Sequence, residues 1–297
     1  MLKFFILLIL STGSLFATPR EEAQEILTRF AVETDVTKRL DKISNIFVGL
    51  PYGKNGPLGE GPTGKYDQDP LYRFDTFDCT TYVETIMALA LSRDVNEFES
   101  HLNLIRYKDG EINYLTRNHF TDLQWIPFNV EAGYLQEINH EVVGPLDIKV
   151  AEAVINFGGW LLSHKVEQIK VPLASSHEKE KLLAELHAEA AFYSPVIARV
   201  SYIEISLLVA QPGLLNKIPS GSLVNFVRPN WDLTEVAGTH QNISHQGFLF
   251  RKGKVLYLRH ASTSGKVEEL PFIDYLKRFL NHSTLKGVHL MKMNQAL

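Results

Sequence analysis

A long segment from Gly49 to Pro70 constrains the fold of this chain more than any other part of it. "GLPYGKNGPLGEGPTGKYDQDP" is dense in glycine and proline, which interrupt both helix hydrogen bonding and strand pairing. The segment is therefore predicted to be an irregular loop, and long loops inside compact domains are usually functional or disordered. It leads into "RFDTFDCTTYVETIMALALS" (Arg73 to Ser92), where the only cysteine of the chain, Cys79, begins an apolar helical run.

Helices are predicted in the first part of the chain and strands mainly in the last part. Apolar residues at three- and four-residue spacing predict helices at 20–33, 35–48, 80–92, 95–107, 178–190 and 272–280. The segment 111–191 is expected to mix short strands with one of these helices. Later strands are predicted after a turn in 218–229, as a hairpin in 243–262, and at 284–293. Helices followed by strands indicate the α+β class rather than alternating α/β.

The first residues, "MLKFFILLILSTGSLFATPR", have the pattern of a cleaved secretory signal. Lys3 is the positive n-region, Phe4 to Leu10 the apolar h-region, and Ala17 the small residue for cleavage. The apolar run is shorter than the roughly 20 residues that span a bilayer, and no cysteine follows it for lipid attachment. We therefore expect residues 1–17 to be removed and the protein to be exported, with the periplasm as its expected location and without a stable membrane anchor.

Composition predicts one globular domain over residues 18–297. The formal net charge is -4 with 22% charged and 45% hydrophobic residues, which excludes the basic footprint of a nucleic-acid-binding protein. A core of this size needs no disulfides, so the lone thiol requires its own explanation. The sequence leaves the oligomeric state open.

Cys79 has the position of a nucleophile. Asp75 or Asp78 can cap the helix, which places the sulfur in the first turn. Unpaired N–H groups and the helix dipole favour an anion there, so we expect a lowered thiol pKa and oxyanion donors nearby. The alternative is a buried structural cysteine, because free cysteine is among the most buried residue types.

A nucleophilic thiol needs a base, and the predicted hairpin supplies two histidines. If Lys252-Gly253 is a two-residue turn, the register pairs His245 directly with His260. Cross-strand partners are about 4.5–5.5 Å apart at Cβ and share one face of the sheet. A base and its orienting residue fit this arrangement, and two unrelated histidines are the alternative.

The other histidines are weaker candidates. His119 lies beside Arg117 and Asn118 in "TRNHF", a polar cluster suited to a substrate carboxylate or acyl oxygen, or else a solvated turn. No HExxH, paired-cysteine, GxSxG or P-loop motif is present, so no metal or cofactor is expected. Five further histidines in helical or polar contexts are predicted to lie on the surface: His101, His140, His164, His177 and His187.

The order of these segments resembles the NlpC-type cell-wall cysteine hydrolases, which have a papain-like fold. The resembling segments are "LPYGKNG" (Leu50 to Gly56), "FDC" (Phe77 to Cys79), "SGSLVNFV" (Ser220 to Val227) and "HQGFLFRKGKVLYLRHAS" (His245 to Ser262). The resemblance implies a Cys-bearing helix packed on an antiparallel sheet, with a large mixed insertion at about 95–215. Ser222 stands where the superfamily usually has Asp, which concerns a turn rather than the chemistry.

Three motifs narrow the resemblance to the N-acetylmuramoyl-L-alanine amidase-like family: "PLGEG" (Pro57 to Gly61), "FDCTTYVET" (Phe77 to Thr85) and "TRNHFTD" (Thr116 to Asp122). The resemblance assigns the nucleophile to Cys79, the base to His245 and the orienting residue to His260, with Tyr52 near the site. It implies hydrolysis of the amide between N-acetylmuramic acid and L-alanine in peptidoglycan or muropeptides, through a thioester. Oxyanion and substrate-binding candidates are Tyr52, Leu58, Glu60, Arg117, Asn118 and His119.

Three alternatives remain open from the sequence. The same mechanism could cut γ-D-glutamyl-diamino acid bonds within the stem peptide. A zinc-dependent amidase could use the histidines or Cys79 as ligands. A murein-binding module with a decayed site is the non-enzymatic alternative, against which the presence of Cys79 and both hairpin histidines argues.

Overall fold

The structure of the protein is a computed structural model that describes residues 18–54 and 56–294. The predicted signal segment, residues 1–17, lies outside the described residues. No helix in the described part of the chain is long and apolar enough to cross a membrane.

Four capped helices form the first part of the described chain. They are α1 (Pro19–Arg29), α2 (Val36–Ile46), α3 (Cys79–Leu91) and α4 (Val95–Arg106). Each begins after a side chain that accepts a hydrogen bond from the first turn, as N-capping requires: Thr18, Asp35, Asp78 and Asp94. The boundaries agree with the predicted helices to within a few residues, because caps and apolar spacing are both local signals. Between α2 and α3 the described residues contain only isolated bridges and turns, as predicted for the loop.

The middle of the chain mixes short helices with strands. A π-helical turn (Thr121–Trp125) runs into α5 (Ile126–Glu131), followed by β1 (Leu135–Glu137) and α6 (Asn139–Val142). Then come β2 (Ile148–Ile155), α7 (Phe157–Leu162), α8 (Ser176–Glu189) and β3 (Val196–Glu204). The sequence patterns missed β3, which pairs along its whole length with β2.

The last part of the chain supplies most of the sheet. Its elements are α9 (Ile205–Ala210), β4 (Ser222–Leu233), α10 (Thr234–Ala237), β5 (Thr239–Lys252), β6 (Val255–Ser262), β7 (Lys266–Pro271), α11 (Phe272–Lys277) and β8 (Gly287–Met293). The strand order is β2-β3-β8-β4-β5-β6-β7 with β1 also on β8, and these pairings are antiparallel. The architecture is α+β, whereas a papain-like origin remains a proposal.

The two faces of the sheet pack against different helices. Phe248 and Phe250 of β5 belong to the core cluster that contains α1 to α4. Leu249, which lies between them, belongs to the cluster that contains α9 and α11. This alternation follows from the two-residue period of a strand, and it places α3 on the first face.

The hairpin register differs from the predicted one by two residues. Lys252 pairs with Val255, so Gly253-Lys254 form the turn, and the ladder continues to Phe248 opposite Arg259. The direct pairing of His245 with His260 is therefore wrong. Because side chains on a strand alternate with period two, the error leaves both histidines on the same face.

Arg259 joins the helical layer to the edge of the sheet. Its side chain is fully buried and pairs with Glu269 on β7. It also donates to the carbonyl of Asp41 at 2.8 Å and to Ser44 Oγ at 2.5 Å, both on α2. The guanidinium lies 4.4 Å from the ring centroid of Phe250. A buried charge with this many partners stabilises one arrangement of α2 on the sheet.

Replacing Arg259 with Ala should lower the free energy of unfolding by about 3–5 kcal/mol, because it removes a buried guanidinium together with its contacts to Glu269, Asp41 and Ser44. Glu269 would keep its pair with Lys252. Arg199→Ala is the matched control, since the Arg199–Glu152 pair is exposed on both sides and should be worth about 1 kcal/mol or less. Urea denaturation of both variants measures the difference. Equal losses for the two variants would contradict a supporting role for Arg259.

Candidate active site

Cys79 is the first residue of α3. The Asp78 carboxylate accepts from the backbone N–H of Thr81 at 2.8 Å, and Thr81 Oγ1 accepts from the N–H of Asp78 at 3.0 Å. This reciprocal capping box fixes the first turn of the helix, and it confirms Asp78 rather than Asp75 as the cap. Taken as a whole residue, Cys79 is partly exposed.

The surroundings of the Cys79 thiol oppose its ionisation. Burial of the sulfur, followed by the charge of Asp78, raises the thiol pKa to about 12. The backbone N–H of Gln246 and the Thr80 hydroxyl and N–H act in the opposite direction. Burial therefore outweighs the effect of the helix terminus, and the direction of the thiol pKa shift is opposite to the expected one.

The two hairpin histidines contact each other. His245 Nε2 and His260 Nδ1 are 2.6 Å apart, with ring centroids at 4.8 Å. Gln246, whose N–H faces the Cys79 sulfur, directly follows His245 on β5. Burial lowers the pKa of His245 well below 6.5 and that of His260 to about 4, so both imidazoles are neutral at neutral pH.

A glycine makes the contact between the histidines sterically possible. Gly247 lies across from His260 on the neighbouring strand, and a Cβ there would be 2.9 Å from the His260 Cβ. The absence of a side chain leaves the space in which the His260 ring leans toward His245. His245 and His260 are diagonal neighbours on the two strands, and they are therefore as close as the directly opposed pair that the sequence predicted.

Polar contacts surround the histidine pair. The 2.6 Å bond joins His245 Nε2 and His260 Nδ1, so one of these nitrogens donates and the other accepts. His260 Nε2 is buried without a hydrogen-bond partner in the described residues, and Glu268 Oε1 on β7 lies 3.6 Å from it. A proton on His260 Nε2 would make His245 Nε2 the donor and leave His245 Nδ1 unprotonated.

Two tyrosines flank the thiol. Burial, followed by the charges of Cys79 and Asp78, raises the pKa of Tyr52 to about 12, so this predicted residue lies within electrostatic range of the sulfur. The pKa of Tyr275 on α11 is also raised to about 12, mainly by burial and in part by the charge of Cys79. Its ring packs edge-to-face on His260 at 5.2 Å. Sequence reasoning missed Tyr275, because nothing in its local pattern distinguishes it from a helix residue in the core.

A cavity of about 280 Å³ adjoins the start of α3. The wall near Cys79 is formed by Asp78, Thr80 and Thr81, and the lining also includes the predicted residues Leu58, Arg117, Asn118 and His119. Other residues of the cavity lining are Tyr114, Trp160, His164 and Lys170. A larger hollow of about 710 Å³ lies around Arg39 and His101 and includes none of the predicted site residues.

The predicted substrate residues differ in what they offer to this cavity. Arg117 Nη1 donates to the Leu58 carbonyl at 2.9 Å, and Asn118 Oδ1 is buried with no hydrogen-bond partner in the described residues. His119 Nε2 lies 2.7 Å from the Tyr114 carbonyl, so this nitrogen carries the proton and Nδ1 is an acceptor. Burial and the nearby Arg117 charge lower the pKa of His119 to about 3.

Two sequence interpretations change with the structure. Glu60 is 4% exposed and does not line the cavity; it lies behind Arg117, with their nearest charged atoms 3.7 Å apart. His164 was predicted to be a surface residue, which is wrong. It is buried, and its Nε2 lies 2.8 Å from the Tyr114 hydroxyl.

Across residues 18–54 and 56–294, no three His, Cys, Asp or Glu side chains converge in an arrangement that could hold a metal ion.

Comparison with solved structures shows an extensive similarity. A Legionella pneumophila protein of the family DUF1460 is 33% identical, with a TM-score of 0.88 over 92% of this chain and 94% of that protein. An N-acetylmuramoyl-L-alanine amidase from Bacteroides uniformis is 23% identical, with a TM-score of 0.60 over 88% of this chain and 100% of that one. The second similarity concerns the fold alone. A search of curated proteins finds no match.

The family pattern decides the classification. The AmiA-like pattern, described as N-acetylmuramoyl-L-alanine amidase-like, matches residues 42–281. This range includes the Gly- and Pro-rich loop, α3, the lining of the cavity and both hairpin histidines. The chain therefore belongs to the N-acetylmuramoyl-L-alanine amidase-like family.

Proposed function

We propose that the protein is an exported cysteine amidase that hydrolyses the bond between N-acetylmuramic acid and L-alanine in peptidoglycan or muropeptides. One observation carries the cysteine mechanism. The thiol of Cys79, at a helix N-terminus, faces the N–H of Gln246, the residue next to a hydrogen-bonded histidine pair. Family membership supports the substrate class. The order of cysteine, base and orienting residue supports a papain-like, NlpC-type origin.

The reaction begins from a neutral thiol and a neutral imidazole. His245 Nδ1 takes the proton from Cys79 as the sulfur attacks the amide carbonyl, so the thiolate forms only during attack. In this mechanism the contact between His245 Nε2 and His260 Nδ1 has His245 as donor and His260 as acceptor, which holds the His245 imidazole in one tautomer and stabilises its imidazolium. The low pKa of His245 makes its imidazolium a strong acid, suited to protonating the leaving amine.

The oxyanion has donors on the helix side of the thiol. Asp78 occupies the N–H of Thr81, and the N–H groups of the first turn before it have no partners within the helix. The Tyr52 hydroxyl, whose pKa is raised to about 12, remains a proton donor at neutral pH. Collapse of the tetrahedral species releases the amine, and water then hydrolyses the thioester with His245 as base.

The cavity beside Asp78 and Thr80 suits the stem peptide. Stem peptides carry free carboxylates, and Arg117 presents a guanidinium that matches them. Asn118 Oδ1 offers an acceptor to a peptide N–H. His119, held neutral by burial, is a second acceptor rather than an alternative general base.

Product analysis tests the proposed function. The protein should convert a defined disaccharide-peptide into free disaccharide and a peptide beginning with L-alanine, detected by mass spectrometry.

Cys79→Ala and Cys79→Ser should each lose nearly all of this activity with little change in melting temperature, because both remove the nucleophile without adding volume. Cleavage within the stem peptide would instead indicate the γ-D-glutamyl endopeptidase. Activity that chelators abolish and zinc restores would indicate a metal enzyme, and no cleavage at all would indicate a binding module.

The histidines should respond unequally to substitution. His245→Ala should lose about 10²–10⁴-fold in kcat, because general-base contributions are of this size. His260→Asn keeps one hydrogen bond to His245 and should retain more activity than His260→Ala. His177→Ala on the exposed face of α8 is the control and should behave as wild type. If His260→Asn proved as inactive as His245→Ala while His245→Asn stayed active, the two roles would be reversed.

Alkylation should report the neutral thiol. With its pKa raised to about 12, Cys79 carries less thiolate at pH 7 than a model thiol of pKa about 8.5. Iodoacetamide should therefore label it at least about tenfold more slowly, and the rate should still rise above pH 9. Labelling in denaturant, where the environment is lost, is the control and should match the model thiol. Fast labelling with a plateau below pH 7 would show a pre-formed thiolate instead.

A further inference from the structure

Glu60 is a buried carboxyl group without a hydrogen bond. It is 4% exposed, and neither of its side-chain oxygens has a partner within the described residues. The nearest cationic atom is Arg117 Nη1 at 3.7 Å, which is beyond hydrogen-bonding distance. An ionised carboxylate in such a place is costly, so Glu60 is poorly explained as a structural anchor.

The charges around Glu60 come from several segments. The ionised form of Glu60 is favoured by the charges of Arg117, Arg106 and Lys170 and opposed by the charge of Asp67. Burial outweighs these charges and raises the pKa of Glu60 to about 7. Arg106 is already paired with Glu84 at 2.7 Å, and Lys170 with Asp69 at 2.7 Å. Arg117 is therefore the cation whose charge Glu60 balances most directly.

Arg117 connects Glu60 to the cavity. Its side chain is 16% exposed and lines the cavity next to Thr80 at the start of α3. Within the described residues its only hydrogen bond is the one to the Leu58 carbonyl. A guanidinium has five N–H donors in a planar fork, so Arg117 retains donors for a planar anionic group in the cavity.

We propose that Arg117 binds a carboxylate of the substrate in this cavity and that Glu60 is a positioning residue that controls this binding through its proton. Uncharged Glu60 leaves the guanidinium charge available to the substrate, and ionised Glu60 offsets it. The inference rests on the proposed amidase function, because the stem peptide supplies the carboxylates.

The direction of the pH effect follows from the sign of the charge. Below about pH 7 Glu60 is protonated, the cavity is more positive by one charge, and a carboxylate ligand binds more tightly. Above that pH the ligand must compete with the ionised Glu60 and binds more weakly. Because a bound carboxylate also disfavours ionisation of Glu60, binding near pH 7 takes up a proton.

Calorimetry on the Cys79→Ala protein tests the proposal without turnover. The probe is N-acetyl-L-alanyl-γ-D-glutamyl-diaminopimelate, whose carboxylates stay ionised over the range used. Its Kd should rise about tenfold between about pH 6 and pH 8. Adding Glu60→Gln should keep the tight Kd of low pH and remove most of this rise. Glu235→Gln, the same change at an exposed residue of α10, should leave the rise intact.

Proton uptake gives a second measurement that needs no Glu60 variant. Titrations at about pH 7 in two buffers of different ionisation enthalpy should show uptake of a fraction of a proton per peptide bound. Absence of uptake, a pH-dependent Kd that persists in Glu60→Gln, or no binding at any pH would each overturn the proposal. The amidase function is judged separately, from the products that the wild-type protein releases, so the two can fail independently.

Discussion

The packing of α3 on the sheet is the constraint on which the site depends. Every residue of this helix from Thr81 to Ala90 is buried, so the helix has one position, and the capping box at Asp78 fixes where its first turn begins. The sulfur of Cys79 is thereby held against the N–H of Gln246 on β5. The same first turn forms one wall of the cavity through Asp78 and Thr80, so one helix positions both Cys79 and this cavity wall.

That packing also decides the protonation of the site. A charge at a helix N-terminus gains about 0.3–1 kcal/mol from the dipole, which is less than one pKa unit at about 1.36 kcal/mol per unit. Burial of the Cys79 sulfur acts in the opposite direction and is the larger effect. Since burial also lowers the pKa of His245, both shifts favour the uncharged forms of the thiol and the imidazole.

The hairpin was predicted in the wrong register, yet the two histidines that it paired, His245 and His260, are in contact. The turn was predicted one residue early, so the ladder moved by two residues and His260 came to lie across from Gly247. Two residues is the period of a strand, which kept both histidines on one face. Because Gly247 has no side chain, His245 and His260 come as close across the diagonal as directly opposed residues do. The general rules for cross-strand pairs do not predict this. Tyr275 and His164 were missed because their partners are distant in sequence.

The sequence by itself determined the features that depend on near neighbours: the irregular loop, the start of α3 at its cap, the alternation of faces along β5, and the family motifs. Only the tertiary structure decided the features that depend on burial: the raised pKa of Cys79, the neutral histidines, and the position of Glu60 behind Arg117. The physical reason is that desolvation is set by every atom around a group, and these atoms come from distant segments of the chain. Caps, turns and periodicity need only the residues a few positions away.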